Sequence, residues 1–115
     1  MNDCLFCKII AGKIPCKKVF ESEFFLAFHD IHPQANIHVL VIPKIHYENL
    51  STATSKMEAK DLGKYLQEIA QVAEILGLTK SGYRTVFNTN EHGCQTVFHI
   101  HAHILGGEQL LGNMG

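Results

Sequence analysis

Phe98-His99-Ile100-His101-Ala102-His103-Ile104-Leu105 sets three histidines at every second position with apolar residues between them. In an extended strand, side chains alternate between faces, so the three imidazoles are expected on one face at intervals of about 6.6 Å. Ile100, Ala102 and Ile104 then point the other way, where branched and small apolar groups pack into a core. A chain with this stretch must bury one side of it and leave the other to polar chemistry.

The rest of the 115-residue sequence gives that strand a modest setting. Its length fits one domain spanning residues 1–115, large enough for a real core and too short for a second. Formal net charge is -1 with Lys and Arg scattered. That leaves no electrostatic footprint for nucleic acid or an acidic membrane, and the expected partner is a small molecule. Met1 to Lys8 lacks a basic region followed by an apolar core, and the apolar run Val39 to Pro43 is far too short to span a bilayer. A soluble, cytoplasmic protein is expected. The four cysteines, Cys4, Cys7, Cys16 and Cys94, are then expected to be reduced, with Cys4-x-x-Cys7 open to metal.

Leu5, Phe6, Ile9 and Ile10 have the spacing of one helical face, with Asp3 as a candidate N-cap and Gly12 as the stop. Val19-Phe20 and Phe24 to His29 flank the polar Glu21-Ser22-Glu23 and read as a hairpin. A loop from Asp30 to Asn36 leads into His38-Val39-Leu40-Val41-Ile42, an apolar strand that belongs mid-sheet and that Pro43 ends. Ser55-Lys56-Met57-Glu58 has the form of a capping box, and the apolar spacing after it predicts a helix to Leu76, closed by Gly77. Tyr83 to Asn88 predicts a further strand, Thr89 to Gln95 a polar loop, and Val97 to Leu105 the histidine strand, closed by Gly106-Gly107. Glu108 to Gly115 carries no periodic signal. Antiparallel strands interrupted by one long helix indicate an α+β domain rather than alternating βαβ units.

Three uses for the histidine row remain open on the residues alone. It is a surface strand whose polar face happens to be histidine, or it holds a cation, since imidazole suits zinc, copper, iron and nickel. No Asp or Glu stands between Gly93 and Gly107 to complete a catalytic metal site. In the third reading one imidazole attacks phosphorus while its neighbours hold the tautomer and bind phosphoryl oxygens.

His-φ-His-φ-His-φ-φ, with φ apolar, resembles the signature of the histidine triad (HIT) superfamily. The resemblance runs through Phe6-Cys7-Lys8-Ile9-Ile10, Ile14-Pro15, Leu26 to Ile31, Pro33-Gln34-Ala35, Val41-Ile42-Pro43-Lys44, Tyr83-Arg84, Asn88 and Gly106-Gly107, in family order. It is nearest to the Hint branch of purine nucleoside phosphoramidases. It implies a HIT-like fold, an antiparallel sheet of about five strands with one long helix and a short N-terminal helix. It also implies hydrolysis of adenosine 5′-phosphoramidates or aminoacyl adenylates through a nucleotidyl-histidine intermediate, releasing AMP or GMP, with no cofactor in catalysis.

By that resemblance His101 is the nucleophile, His103 donates to the phosphate, and His99 with His38 builds the supporting network. Thr96 stands where the family often has serine; with Asn88 and Gln95 it matches positions that contact the phosphate or leaving group. Asp30 matches a ribose-binding acid, although a loop-capping Asp is the ordinary reading of such a residue. Phe6, Ile14, Phe28, His29, Ile31 and Val97 match the nucleotide pocket, though each is otherwise ordinary core. Cys4, Cys7, His46 and His99 match a structural zinc site of bacterial relatives; Cys16 and Cys94 have no partner by spacing. A homodimer is implied through the long helix and the Tyr83 to Asn88 strand. The family's Trp-Pro-Pro-Gly type ending is absent here, which leaves the leaving group open. Dinucleoside polyphosphate hydrolysis, as in the Fhit branch, and a non-catalytic nucleotide-binding scaffold are the alternatives. Ala102, where the former branch usually has glutamine, argues against it.

Overall fold

The computed structural model describes residues 3–113, so the outermost residues of the expected 1–115 domain and of the C-terminal tail lie outside them. A short helix, α1 (Leu5–Ile10), opens the chain, and its N-cap is Cys4 rather than Asp3: the Cys4 Sγ accepts from the Cys7 N–H at 3.3 Å. Thiol sulfur is a weak acceptor, so a cap of this kind implies another reason for cysteine at that position. Gly12, at φ +78°, turns the chain away after the helix.

Five strands follow: β1 (Lys18–Glu21), β2 (Phe25–His29), β3 (Ile37–Pro43), β4 (Arg84–Val86) and β5 (Ala102–Gly106). They form one antiparallel sheet in the order β1-β2-β3-β5-β4. β3 is central, as its unbroken apolar run requires of a strand covered on both faces. Along β2 and β3 the alternation divides two cores. Phe25, Ala27, Val39 and Val41 face one; Leu26, Phe28, Leu40 and Ile42 join Phe6 of α1 in the other.

The first core is closed by α2 (Leu50–Lys56) and α3 (Ala59–Ile75). Tyr65, Ile69, Val72 and Ala73 of α3 are buried, each of the larger ones contributing roughly 1.5–3 kcal/mol. Tyr65 stacks on Phe25 at 5.2 Å between ring centroids and donates its hydroxyl to the Val41 carbonyl at 2.6 Å.

Three predicted boundaries move, and the first is the strand expected over Tyr83 to Asn88, which forms only at Arg84–Val86. Ser55 does not cap the long helix; it lies in α2, whose N-cap is Asn49 accepting from Thr52 N–H at 2.9 Å, and Glu58 caps α3 without a side-chain hydrogen bond. The histidine strand pairs only from Ala102 onward, because β3 begins its partnership with β5 at Val41↔Ala102. Upstream, the Ile100 N–H goes to the Tyr47 carbonyl at 2.7 Å instead of to the sheet. The alternation survives the lost ladder: Ile100, Ala102 and Ile104 all sit in the first core. Among the described residues no helix is long and apolar enough to cross a membrane.

Candidate active site

The three row histidines divide between two clusters. His99 is fully buried, at 0% exposure. Its Nε2–H donates to the Pro43 carbonyl at 2.8 Å, which leaves the Nδ1 lone pair bare. That Nδ1 lies 3.4 Å from Cys4 Sγ, 3.6 Å from Cys7 Sγ and 3.1 Å from His46 Nδ1, and His46 Nδ1 lies 3.4 Å from Cys7 Sγ. Around a tetrahedral zinc with ordinary bond lengths, ligand atoms are about 3.6 Å apart for sulfur to nitrogen and about 3.4 Å for nitrogen to nitrogen. The four donors, brought together from α1, the turn after β3 and the approach to β5, fit a closed structural zinc site. Burial and the neighbouring Cys4 push the Cys7 thiol up to about 11, so a thiolate here needs a cation to balance its charge. Burial, with smaller effects from His46 and His101, holds His99 down to about 4, and it stays neutral as a ligand must be.

His101 and His103 turn to the second cluster, their rings 4.9 Å apart. The His101 Nδ1–H donates to the carbonyl of His99 at 2.8 Å, leaving the Nε2 lone pair on the opposite edge of the ring. Burial keeps His101 below the usual imidazole range, partly offset by the His99 carbonyl and Asp30. Burial, reinforced by His101 and His38, holds His103 at about 4. His103 Nδ1 is 2.9 Å from His38 Nε2, and its Nε2 is 3.4 Å from the Asn88 amide nitrogen. His38 is itself held below the usual range by burial, and its Nδ1 accepts from the peptide N–H of Gln34 at 3.0 Å.

Asp30, His38 and His103 also come close enough to share a cation. Hydrogen bonding argues against it. The Gln34 N–H occupies His38 Nδ1, so the neutral ring carries its hydrogen on Nε2, the very nitrogen a metal would need. This cluster is a hydrogen-bonded relay.

A cleft of about 370 Å³ opens beside the relay, within the usual range for small-molecule sites. His101 and His103 line it together with Phe6, Ile14, Phe28, His29, Asp30, Ile31, Thr96 and Val97 of the expected set, and with Leu40. Phe6 meets the edge of His101 at 5.1 Å and of Phe28 at 5.5 Å. Ile31 stands 84% exposed at the rim, where an apolar side chain has little to do without a ligand to cover it. Asp30 does what an ordinary loop acid does, its Oδ1 accepting from the His32 N–H at 2.8 Å, while its Oδ2 lies 3.5 Å from His38 Nε2.

Several expectations need adjusting. His99 supports the row through its carbonyl, and its ring belongs to the cysteine cluster, so the three imidazoles are not one row. Gln95 is buried with its amide committed to backbone groups of its own loop and of the segment before α2: Oε1 accepts from the Asn90 N–H, and Nε2 donates to the Glu48 and Val97 carbonyls. It does not line the cleft, and neither does Asn88, which reaches it only through His103. Cys16, without a partner by spacing, lines the cleft. Sequence reasoning missed the Gln34 N–H and the Pro43 carbonyl, because backbone groups carry no residue-type signal.

Fold and site together define a small α+β protein with a cleft of small-molecule size lined by imidazoles that burial holds below their usual range. A family model for the HIT domain matches residues 11–110. The protein is 42% identical over 106 residues to "Protein HitA" of Neisseria gonorrhoeae, covering 92% of this chain and 97% of that protein. It is 41% identical over 109 residues to a purine nucleoside phosphoramidase of Escherichia coli (strain K12), covering 95% and 91%. Among solved structures it superposes on a HIT family hydrolase from Legionella pneumophila Philadelphia 1 with a TM-score of 0.88 at 44% identity, covering 98% of this chain and 100% of that one. A histidine triad protein from Clostridium difficile gives 0.89 at 40% identity, with 96% of each chain covered. The chain belongs to the histidine triad (HIT) family.

Proposed function

We propose that the protein hydrolyses purine nucleoside 5′-phosphoramidates or aminoacyl adenylates, releasing AMP or GMP by way of a nucleotidyl group on His101. The observation that carries this reading is the His101 ring, neutral, with Nδ1–H tied to the His99 carbonyl at 2.8 Å and Nε2 bare beside a cleft of small-molecule size. An imidazole in that state needs no base to attack phosphorus. Nε2 forms a bond to the α-phosphorus, and the phosphorus–nitrogen bond of the substrate breaks. The amine leaves with the bonding pair and takes a proton from water. The resulting hydroxide displaces His101 from phosphorus, giving the 5′-monophosphate and restoring the neutral ring. For a phosphoramidate the net change adds water across the phosphorus–nitrogen bond; for an aminoacyl adenylate the phosphorus–oxygen bond breaks instead, the carboxylate leaves with the bonding pair, and water supplies the hydroxyl that displaces His101.

His103 donates from its Nε2–H to a phosphoryl oxygen, and Thr96 adds a hydroxyl in the same cleft. Phe6, Phe28 and Ile14 offer apolar faces to the base, and Ile31 closes over it from the rim. Asp30 takes the ribose hydroxyls on the lone pairs left free by its loop bond. Cys4, Cys7, His46 and His99 hold a structural zinc that balances the thiolates and takes no part in the reaction. A homodimer brings together the open edge at β4 and α3, where Leu66 and Ile75 are 54% and 50% exposed.

The test offers adenosine 5′-phosphoramidate to wild type and His101→Ala, and examines acid-quenched wild type by mass spectrometry. Hydrolysis by wild type alone, with a nucleotidyl adduct on His101, supports the reading. Equal turnover by both would sink it.

A further inference from the structure

Both nitrogens of His103 face potential donors, so its tautomer has to be set from outside the ring. Asn88 turns its amide nitrogen to Nε2 at 3.4 Å, and His38 presents Nε2 to Nδ1 at 2.9 Å. An amide can turn end for end and a ring can exchange its hydrogen between nitrogens. A peptide N–H can do neither. The Gln34 N–H, 3.0 Å from His38 Nδ1, is therefore the one fixed donor in the line, and every choice downstream follows from it.

We propose that the peptide N–H of Gln34, acting through His38, fixes His103 in the tautomer that carries its hydrogen on Nε2. His38 accepts on Nδ1, so it must donate from Nε2. His103 accepts that hydrogen bond on Nδ1, so its own hydrogen sits on Nε2, on the far side of the ring. The Asn88 amide then presents its oxygen, at a distance long enough for a substrate oxygen to displace it. No carboxylate sets the order; Asp30 Oδ2, at 3.5 Å, only shares the His38 Nε2–H. His38 is thus a positioning residue, and the loop that presents Gln34 is part of the site's machinery without touching substrate.

That loop is tied at both ends. At the first, Asp30 Oδ1 accepts from the His32 N–H at 2.8 Å and the Asp30 N–H donates to the His38 carbonyl at 2.9 Å. At the second, Asn36 donates its N–H to Glu108 Oε2 at 2.6 Å and its side-chain amide to the Gly107 carbonyl at 3.2 Å. Gly107 has φ +82°, and a Cβ there would meet Ile37 at 3.1 Å and Asn36 at 3.3 Å, so the clamp needs glycine on two counts. The segment after β5 thereby holds in place the N–H that orders the relay.

Only the use made of the His103 Nε2–H rests on the proposed function; the tautomer itself is readable in the free protein. Nitrogen-15 spectra of wild type should show His38 and His103 both bare at Nδ1 and protonated at Nε2. His38→Gln, which still donates toward His103, should keep that signature and retain kcat/KM within about 10-fold. His38→Glu, which only accepts, should move the His103 hydrogen to Nδ1 and lower kcat/KM by about 10²-fold, the loss typical of one missing oxyanion donor. Glu108→Ala should broaden the His38 signal. A wild-type His103 protonated at Nδ1, or equal losses in the two His38 variants, would overturn the inference, and the wild-type spectrum decides it even where a variant fails to fold. Correct tautomers in a protein that does not cleave phosphoramidates would overturn the proposed function and leave the relay standing.

Discussion

The cysteine cluster and the relay use the same side chain for opposite ends. Around His99 and His46, each ring meets thiols, and four donor atoms lie within 4.8 Å of one another. Around His38, His101 and His103, lone pairs and hydrogens alternate, and the last atoms open on a cleft of about 370 Å³. The imidazoles do not differ in charge, since burial pushes His99, His101 and His103 alike below the usual range. What differs is the partner on the second nitrogen. A carbonyl fixes the hydrogen and frees a lone pair for metal or phosphorus, whereas a peptide N–H fixes a lone pair and sends a hydrogen onward.

The contrast can be broken most sharply at His101. His101→Ala should lower kcat by at least about 10³-fold while AMP affinity, read by calorimetry, changes only a few-fold. On the other side, Cys7→Ser should abolish zinc binding in metal analysis and cost on the order of several kcal/mol in urea unfolding. Activity measured at low temperature should survive that change better than it survives loss of His101. His103→Ala should reduce kcat/KM by about 10²-fold, without changing metal content. Phe6→Ala, which touches both clusters, should weaken AMP by about 10-fold, the equivalent of ~1.4 kcal/mol.

Acid sensitivity tests the burial shared by both clusters. His103 is held near 4, against about 6.5 for an unfolded histidine. Between those values the unfolded chain binds the extra proton, so stability falls as pH drops below about 6.5 and levels off near 4. The slope should reach at most ~1.4 kcal/mol per pH unit for each proton taken up. Unfolding curves at pH 7, 6 and 5 would reveal it, and a flat profile would remove burial as the reason these rings stay neutral.

Unbroken β-prone apolar runs made β2 and β3 legible in the residues alone, period-two alternation did the same for the apolar face of the histidine stretch, and glycines at 12 and 77 marked real helix ends. α2 was not legible. Its Leu-Ser-Thr-Ala-Thr-Ser-Lys run has weak helix propensity, and its own Ser55 imitates the cap of the next helix. The cleft's walls were legible because Phe6, Ile14, Phe28 and Ile31 lie within a familiar motif order. The split of the histidines could be reached only through the resemblance, since spacing treats His99 and His103 as equivalent. Nothing in the residue types announced the Gln34 N–H, and Gln95 looked like a ligand contact because a buried amide serving backbone groups has the same letter as one serving a substrate.

α1 gives the cysteine cluster leverage over the cleft. Six residues are too few to hold a helix by propensity, so its place depends on what its side chains grip. Cys7, with Cys4 at the cap, grips the cluster, while Phe6, between them in sequence, forms the cleft wall. The helix is therefore gripped on one side by two sulfur atoms and on the other by Phe6, Ile9 and Ile10 in the second core. Oxidation or alkylation of those thiols should be felt in the cleft as a displaced Phe6 wall, although neither thiol lines it.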